Sequence, residues 1–172
     1  MFRTLRYAIM VLVLGGVGSL SGPVSGLAGA QTVPSCQTRQ IAVSLGRSSG
    51  AAGTIYHPIV FTNRGATCAM WGVPAVQPVG ARRQPVGPPA RNASMGEMPL
   101  RHVLAHAQSL SVGVGVAETG NWPPALCRAR RAIGVVVSLA PFVGAHFVPM
   151  SISVCTRLAS VSTRLLSPGR AG

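Results

Sequence analysis

Ser109-Leu110-Ser111-Val112-Gly113-Val114-Gly115-Val116-Ala117 carries the clearest strand pattern in the sequence. Val112, Val114 and Val116 recur at a period of two, and Gly113 and Gly115 take the alternate positions. In a strand this puts the valines on one face and leaves the other flat, open to a close neighbour. A phosphate-binding glycine loop is the competing reading. It fails because the third glycine is missing at the required spacing and no helix follows.

The same alternation recurs elsewhere in the chain. Thr54 to Asn63 places Ile55, His57, Ile59 and Phe61 on one face, with Pro58 marking an edge or a bulge. Ile41, Val43 and Leu45 alternate with small or polar residues. Short strands are expected at Cys68 to Trp71, Ala75 to Val79, Met98 to Leu104, Ile133 to Leu139, Ser151 to Cys155 and Val161 to Leu166. Gly80 to Gly96 is rich in Pro, Gly and Arg and reads as one long surface loop. Seven to nine short strands separated by turn signals, with no sustained helical period, predict an all-β fold: an antiparallel β-sandwich of one domain.

The first 30 residues read as an export signal. Arg3 and Arg6 precede an apolar run from Tyr7 to Val17, and Ala28 and Ala30 satisfy the small-x-small rule for cleavage before Gln31. The run is too short for a comfortable membrane span, so no transmembrane segment is expected in the mature chain, 31–172. An exported chain meets oxidising conditions, and its four cysteines, Cys36, Cys68, Cys127 and Cys155, read as two disulfides. Four cysteines permit three connectivities; Cys36–Cys68 with Cys127–Cys155, which closes two local loops of similar length, is the expected one. Zinc is the rival, but no Cys-x-x-Cys spacing is present.

Charge is lopsided. The 172 residues hold 15 arginines, no lysine, no aspartate and two glutamates, Glu97 and Glu118, for a net charge of +13. Arg, Ala, Gly, Pro and Val are the residues of GC-rich codons, so this excess has a compositional explanation as well as a functional one. The functional one is a polyanion surface, an anionic envelope glycan or lipid, with nucleic acid held only non-specifically. Its candidate residues lie on one of two loops: Arg82, Arg83 and Arg91 within Gly80 to Gly96, or Arg128, Arg130 and Arg131 within Trp122 to Arg131.

The motifs Gly50-Ala51-Ala52-Gly53-Thr54-Ile55-Tyr56, Val60-Phe61-Thr62-Asn63 and Cys68-Ala69-Met70-Trp71-Gly72-Val73-Pro74 resemble those of a secreted actinobacterial family, domain of unknown function 4232. Cys127 and Cys155 with their adjoining strands fit the same pattern. The resemblance spans most of Cys36 to Gly169. It implies a small immunoglobulin-like sandwich outside the membrane and no particular reaction.

Catalytic constellations are poorly supplied. The two glutamates are 21 positions apart, so no local carboxylate pair exists. No Gly-x-Ser-x-Gly elbow is present, and a Ser/His/Glu hydrolase site would have to be assembled in space. His102 and His106 have the spacing of two ligands on a helical face, but no motif supplies the remaining ligands. The expectation is therefore a secreted, non-catalytic binding or structural module without cofactor, with a hydrolase as the alternative.

Overall fold

Val112 and Val114 of strand Ser109–Ala117 are fully buried, and the strand runs through the middle of the larger of two packed sheets. A computed structural model describes residues 32–170. The expected signal segment, 1–30, and cleavage before Gln31 lie outside the described residues.

The strands in chain order are β1 (Ile41–Leu45), β2 (Ser49–Ala51), β3 (Thr54–Asn63), β4 (Cys68–Met70), β5 (Ala75–Val79), β6 (Arg91–Asn92) and β7 (His102–Leu104). They continue with β8 (Ser109–Ala117), β9 (Ala129–Leu139), β10 (Val143–Cys155), β11 (Val161–Thr163) and β12 (Ser167–Pro168). One helical turn, α1 (Pro124–Cys127), precedes β9. The larger sheet has the order β1-β3-β8-β11-β6, with β2 extending β1 along β3 and β12 pairing β8. A second sheet has the order β10-β9-β5, and β4 pairs with β7. Among the strands described, every pairing is antiparallel except β11 with β6; Ser35 also bridges Ala69 of β4 in the parallel sense.

The sheets close over one apolar cluster. Ile59, Phe61 and Val114 come from the larger sheet; Val76, Val135 and Val137 come from the smaller. This is the two-layer, all-β architecture that the alternation predicts.

Three details differ from the sequence reading. First, β3 is an interior strand. The Pro58 carbonyl accepts from the Gly46 N–H at 2.7 Å, so the donorless proline nitrogen faces the interval between β1 and β2, where ladder pairing is interrupted. Second, Gly80 to Gly96 is not one loop. A tight turn closes where the Gly80 N–H meets the Gln84 carbonyl; the chain then runs back along β5, with Val86 N–H donating to Pro78 and Ala90 N–H to Val76, before forming β6. This return strand covers the open edge of β5. Third, β10 starts eight residues earlier than the expected Ser151, at Val143. Two register shifts against β9 each insert one extra residue, which breaks the period of two that would have marked it.

The disulfides are Cys36–Cys68 and Cys127–Cys155, with Cα–Cα distances of 4.8 and 4.5 Å. The first ties the start of the described chain to β4, and the second ties the end of α1 to the end of β10. Trp71 stacks edge-on against Phe142 with ring centroids 4.5 Å apart.

The glycine stripe of β8 is used at one position. A Cβ on Gly115 would lie 2.8 Å from Ser162 Oγ and 3.2 Å from Tyr56, whereas one on Gly113 would meet nothing within 4 Å.

Candidate functional site

Arg130 and Arg131 open β9, and both are exposed. β9 pairs with β5, and β5 ends at Val79, so the register carries the Gly80–Gln84 turn beside the first residues of β9. The two arginine-bearing segments of the sequence therefore meet in space. Between them is a concavity of about 580 Å3, lined by Gln84, Val86, Gly87, Arg130, Arg131 and Ile133. Among the described residues no carboxylate lines it.

Each arginine sits differently. Arg131 Nε donates to Ser151 Oγ at 2.8 Å, which restrains the exposed guanidinium. Arg83 lies over the Phe147 ring, 3.5 Å from the centroid. Phe147 in turn covers Gly134, where a Cβ would come within 2.5 Å of the ring. Arg82 is exposed on the turn, its N–H donating to Gln84 Oε1 at 2.8 Å. Like Arg82 and Arg83, Arg128 does not line the concavity. It caps α1 in a left-handed conformation, φ 48°, with its carbonyl accepting from Thr156 Oγ1.

The wall of this site depends on Gly87, which has φ +73° and packs where any Cβ would strike the Cys155 carbonyl oxygen. The Gln77 amide donates to the Gly87 carbonyl at 3.1 Å and holds the return strand down.

A second cleft, of about 370 Å3, lies at one end of the sandwich and is lined by His57, Glu118, Ser151, Ile152 and Ser153 among others. His57 shares the inward face of β3, opposite Val114. Burial lowers its pKa from the ordinary 6.5. Its Nδ1 bonds Ser48 Oγ at 2.7 Å. This brings a serine, a histidine and a glutamate into one neighbourhood, which sequence spacing alone did not reveal. Among the described residues, no hydrogen bond joins His57 to Glu118.

The other candidates are dispersed. Glu97 sits exposed in a turn whose N–H bonds the Ser94 carbonyl. His102 lies in β7 opposite Met70, and His106 Nδ1 contacts the Gly65 carbonyl at 3.3 Å, so the helix that would stack the pair is not formed. Among the described residues no three His, Cys, Asp or Glu side chains assemble into a metal-holding group, and no helix is long and apolar enough to cross a membrane.

A family model described as a domain of unknown function, DUF4232, matches residues 36–165. The chain belongs to the DUF4232 family. No curated protein and no solved structure matches it. The DUF4232 match begins at the first disulfide cysteine and takes in both bridges, the smaller sheet, the larger sheet except β12, and the concavity between the Gly80–Gln84 turn and Arg130. It ends at Leu165, whose N–H donates to the buried Ser94 Oγ at 2.9 Å. The DUF4232 label carries no activity.

Proposed function

We propose that this DUF4232 chain is an exported, non-catalytic binding module that holds an anionic polymer, an acidic envelope glycan, in the concavity between the Gly80–Gln84 turn and Arg130–Arg131. The observation that carries this reading is that Arg130 and Arg131 line one groove, against the turn that bears Arg82 and Arg83, with no acidic residue among its described lining. Guanidinium groups match carboxylate, sulfate and phosphate oxygens in pairs, and a bond to a charged acceptor contributes about 1.5–3 kcal/mol. Val86 and Ile133 give the groove an apolar floor along which a sugar ring can lie. Concavity favours a polymer chain over a flat lipid surface.

Heparin chromatography tests the reading. The wild-type protein is retained, and an Arg130→Gln/Arg131→Gln variant elutes at clearly lower salt than an Arg39→Gln/Arg47→Gln variant with the same net charge. Equal elution of the two variants would mean that general charge, not the groove, holds the column.

A specific observation favours a second reading, acyl hydrolysis: the 2.7 Å Ser48–His57 bond beside the cleft that Glu118 also lines. A neutral imidazole is the form that accepts a hydroxyl proton, and burial favours it. Labelling of Ser48 by a fluorophosphonate, lost in His57→Ala, would establish this reading; an unlabelled protein would dispose of it.

A further inference from the structure

The outer face of the larger sheet carries a row of four residues on four adjacent strands. Tyr56 of β3 is opposite Gly115 of β8, Gly115 is opposite Ser162 of β11, and Ser162 is opposite Arg91 of β6. Neighbours in register share a face, and Val114 and Val116 point the other way, into the core. Gly115 has no side chain, so the row is dented between Tyr56 and Ser162.

The dent is a small pocket of about 120 Å3. Tyr56 and Thr54 form one wall and Trp122, from the segment after β8, another; Arg91 and Arg164 stand at its other side with Ser162. Arg164 directly follows β11 and lines the same pocket as Ser162. Both arginines are exposed, and among the described residues no carboxylate lines the pocket. Ser162 Oγ reaches the Gly115 carbonyl only at 3.4 Å, a long bond that an incoming oxygen can replace.

We infer that this pocket is a second, independent anion site, built for a single phosphate monoester group. Its volume equals roughly four waters at about 30 Å3 each, which suits one tetrahedral oxyanion and excludes a polymer chain. Two guanidinium forks and the hydroxyls of Ser162, Thr54 and Tyr56 match the several acceptor oxygens of a dianion better than a single carboxylate. The Trp122 indole supplies an apolar wall for the group that bears the ester. The site stands on the larger sheet and does not rest on the Arg130–Arg131 groove.

Calorimetric titration of the full chain with inorganic phosphate, at constant ionic strength against chloride, tests the site. Saturable binding is expected, accompanied by a change in emission from Trp122; Trp71, packed on Phe142, supplies a constant background. Arg164→Gln and Arg91→Gln, made singly, each weaken binding about tenfold, the loss of one charge-assisted contact, while Arg39→Gln/Arg47→Gln leaves it unchanged. Absence of saturation, undiminished binding in both single variants, or equal loss in the Arg39/Arg47 variant overturns the proposal. Glycerol phosphate and phosphatidylcholine vesicles containing phosphatidic acid then identify the source. Vesicle cosedimentation lost in Arg164→Gln assigns the phosphate to a lipid headgroup. Cosedimentation unchanged in that variant, with glycerol phosphate competing, assigns it to a soluble ester. Either result upholds the site.

Discussion

The Asn63 side-chain amide, at the end of β3, donates to the Leu104 carbonyl oxygen of β7 at 3.0 Å. The same amide nitrogen reaches the Ala66 carbonyl at 2.9 Å, and Asn63 Oδ1 accepts from the Gly65 N–H at 2.9 Å. Asn63 is fully buried, so it works as an internal clamp between the β3–β4 turn and β7. Asn63→Leu takes this partner from the Leu104 carbonyl and the Gly65 N–H, while the Ala66 carbonyl keeps the Gln40 amide at 3.1 Å. The expected cost is about 2–3 kcal/mol, seen as a lower urea midpoint at unchanged slope. A midpoint within error of wild type would refute the clamp.

The disulfides close loops with sequence separations of 32 and 28 residues. The chain-entropy model assigns each about 3–4 kcal/mol. Together they approach the total stability of an ordinary domain, about 5–15 kcal/mol. Reduction is therefore expected to lower the thermal midpoint sharply or abolish the transition, followed by circular dichroism with and without dithiothreitol. A domain equally stable when reduced would show that the apolar cluster is sufficient alone.

Gly134, Phe147 and Arg83 form a stack on the outer face of the smaller sheet. Gly134→Ala pushes the ring aside and is expected to cost about 1–3 kcal/mol. In a Phe147→Ala background the same change should cost less, because the ring is no longer there to be displaced. The Val148 carbonyl, also 2.5 Å from the added carbon, keeps part of the penalty. A double-mutant cycle measures the coupling; strict additivity would disprove it.

His57 makes stability depend on pH in a definite direction. Its folded pKa lies below the ordinary 6.5, so between those two values the unfolded chain binds more protons than the folded one. The contribution is present in full above 6.5 and is lost as pH falls through the folded value. Denaturation midpoints should therefore fall on acidification below pH 6.5 more steeply in wild type than in His57→Gln. Parallel profiles would remove His57 from the account.

The legibility of the fold varied with strand length. β3 and β8 were visible because nine or ten residues of alternation leave little room for another reading. β6 and β12, with two residues each, carry no period at all and exist because a neighbouring strand offers hydrogen bonds. The first half of β10 was hidden by its two inserted residues. The same limit applied to the sites. The Arg128-Ala129-Arg130-Arg131 cluster was plain in the sequence, but only the β5–β9 register puts Arg130 and Arg131 against the Gly80–Gln84 turn and leaves Arg128 capping α1. The histidine spacing at His102 and His106 suggested a shared helical face, and β pairing with β4 prevailed.

The amino-acid order by itself determined that valines and isoleucines line one side of extended segments, and that four cysteines are available to close two local loops. It also determined that guanidinium charge has almost no carboxylate to neutralise it. These are properties of near neighbours and of composition, and no distant contact can change them. The tertiary structure alone decided which distant residues meet: Tyr56, Gly115, Ser162 and Arg91 in one row, Ser48 against His57, Arg83 above Phe147. Such meetings depend on strand register, and a slip of one residue would turn each side chain to the opposite face.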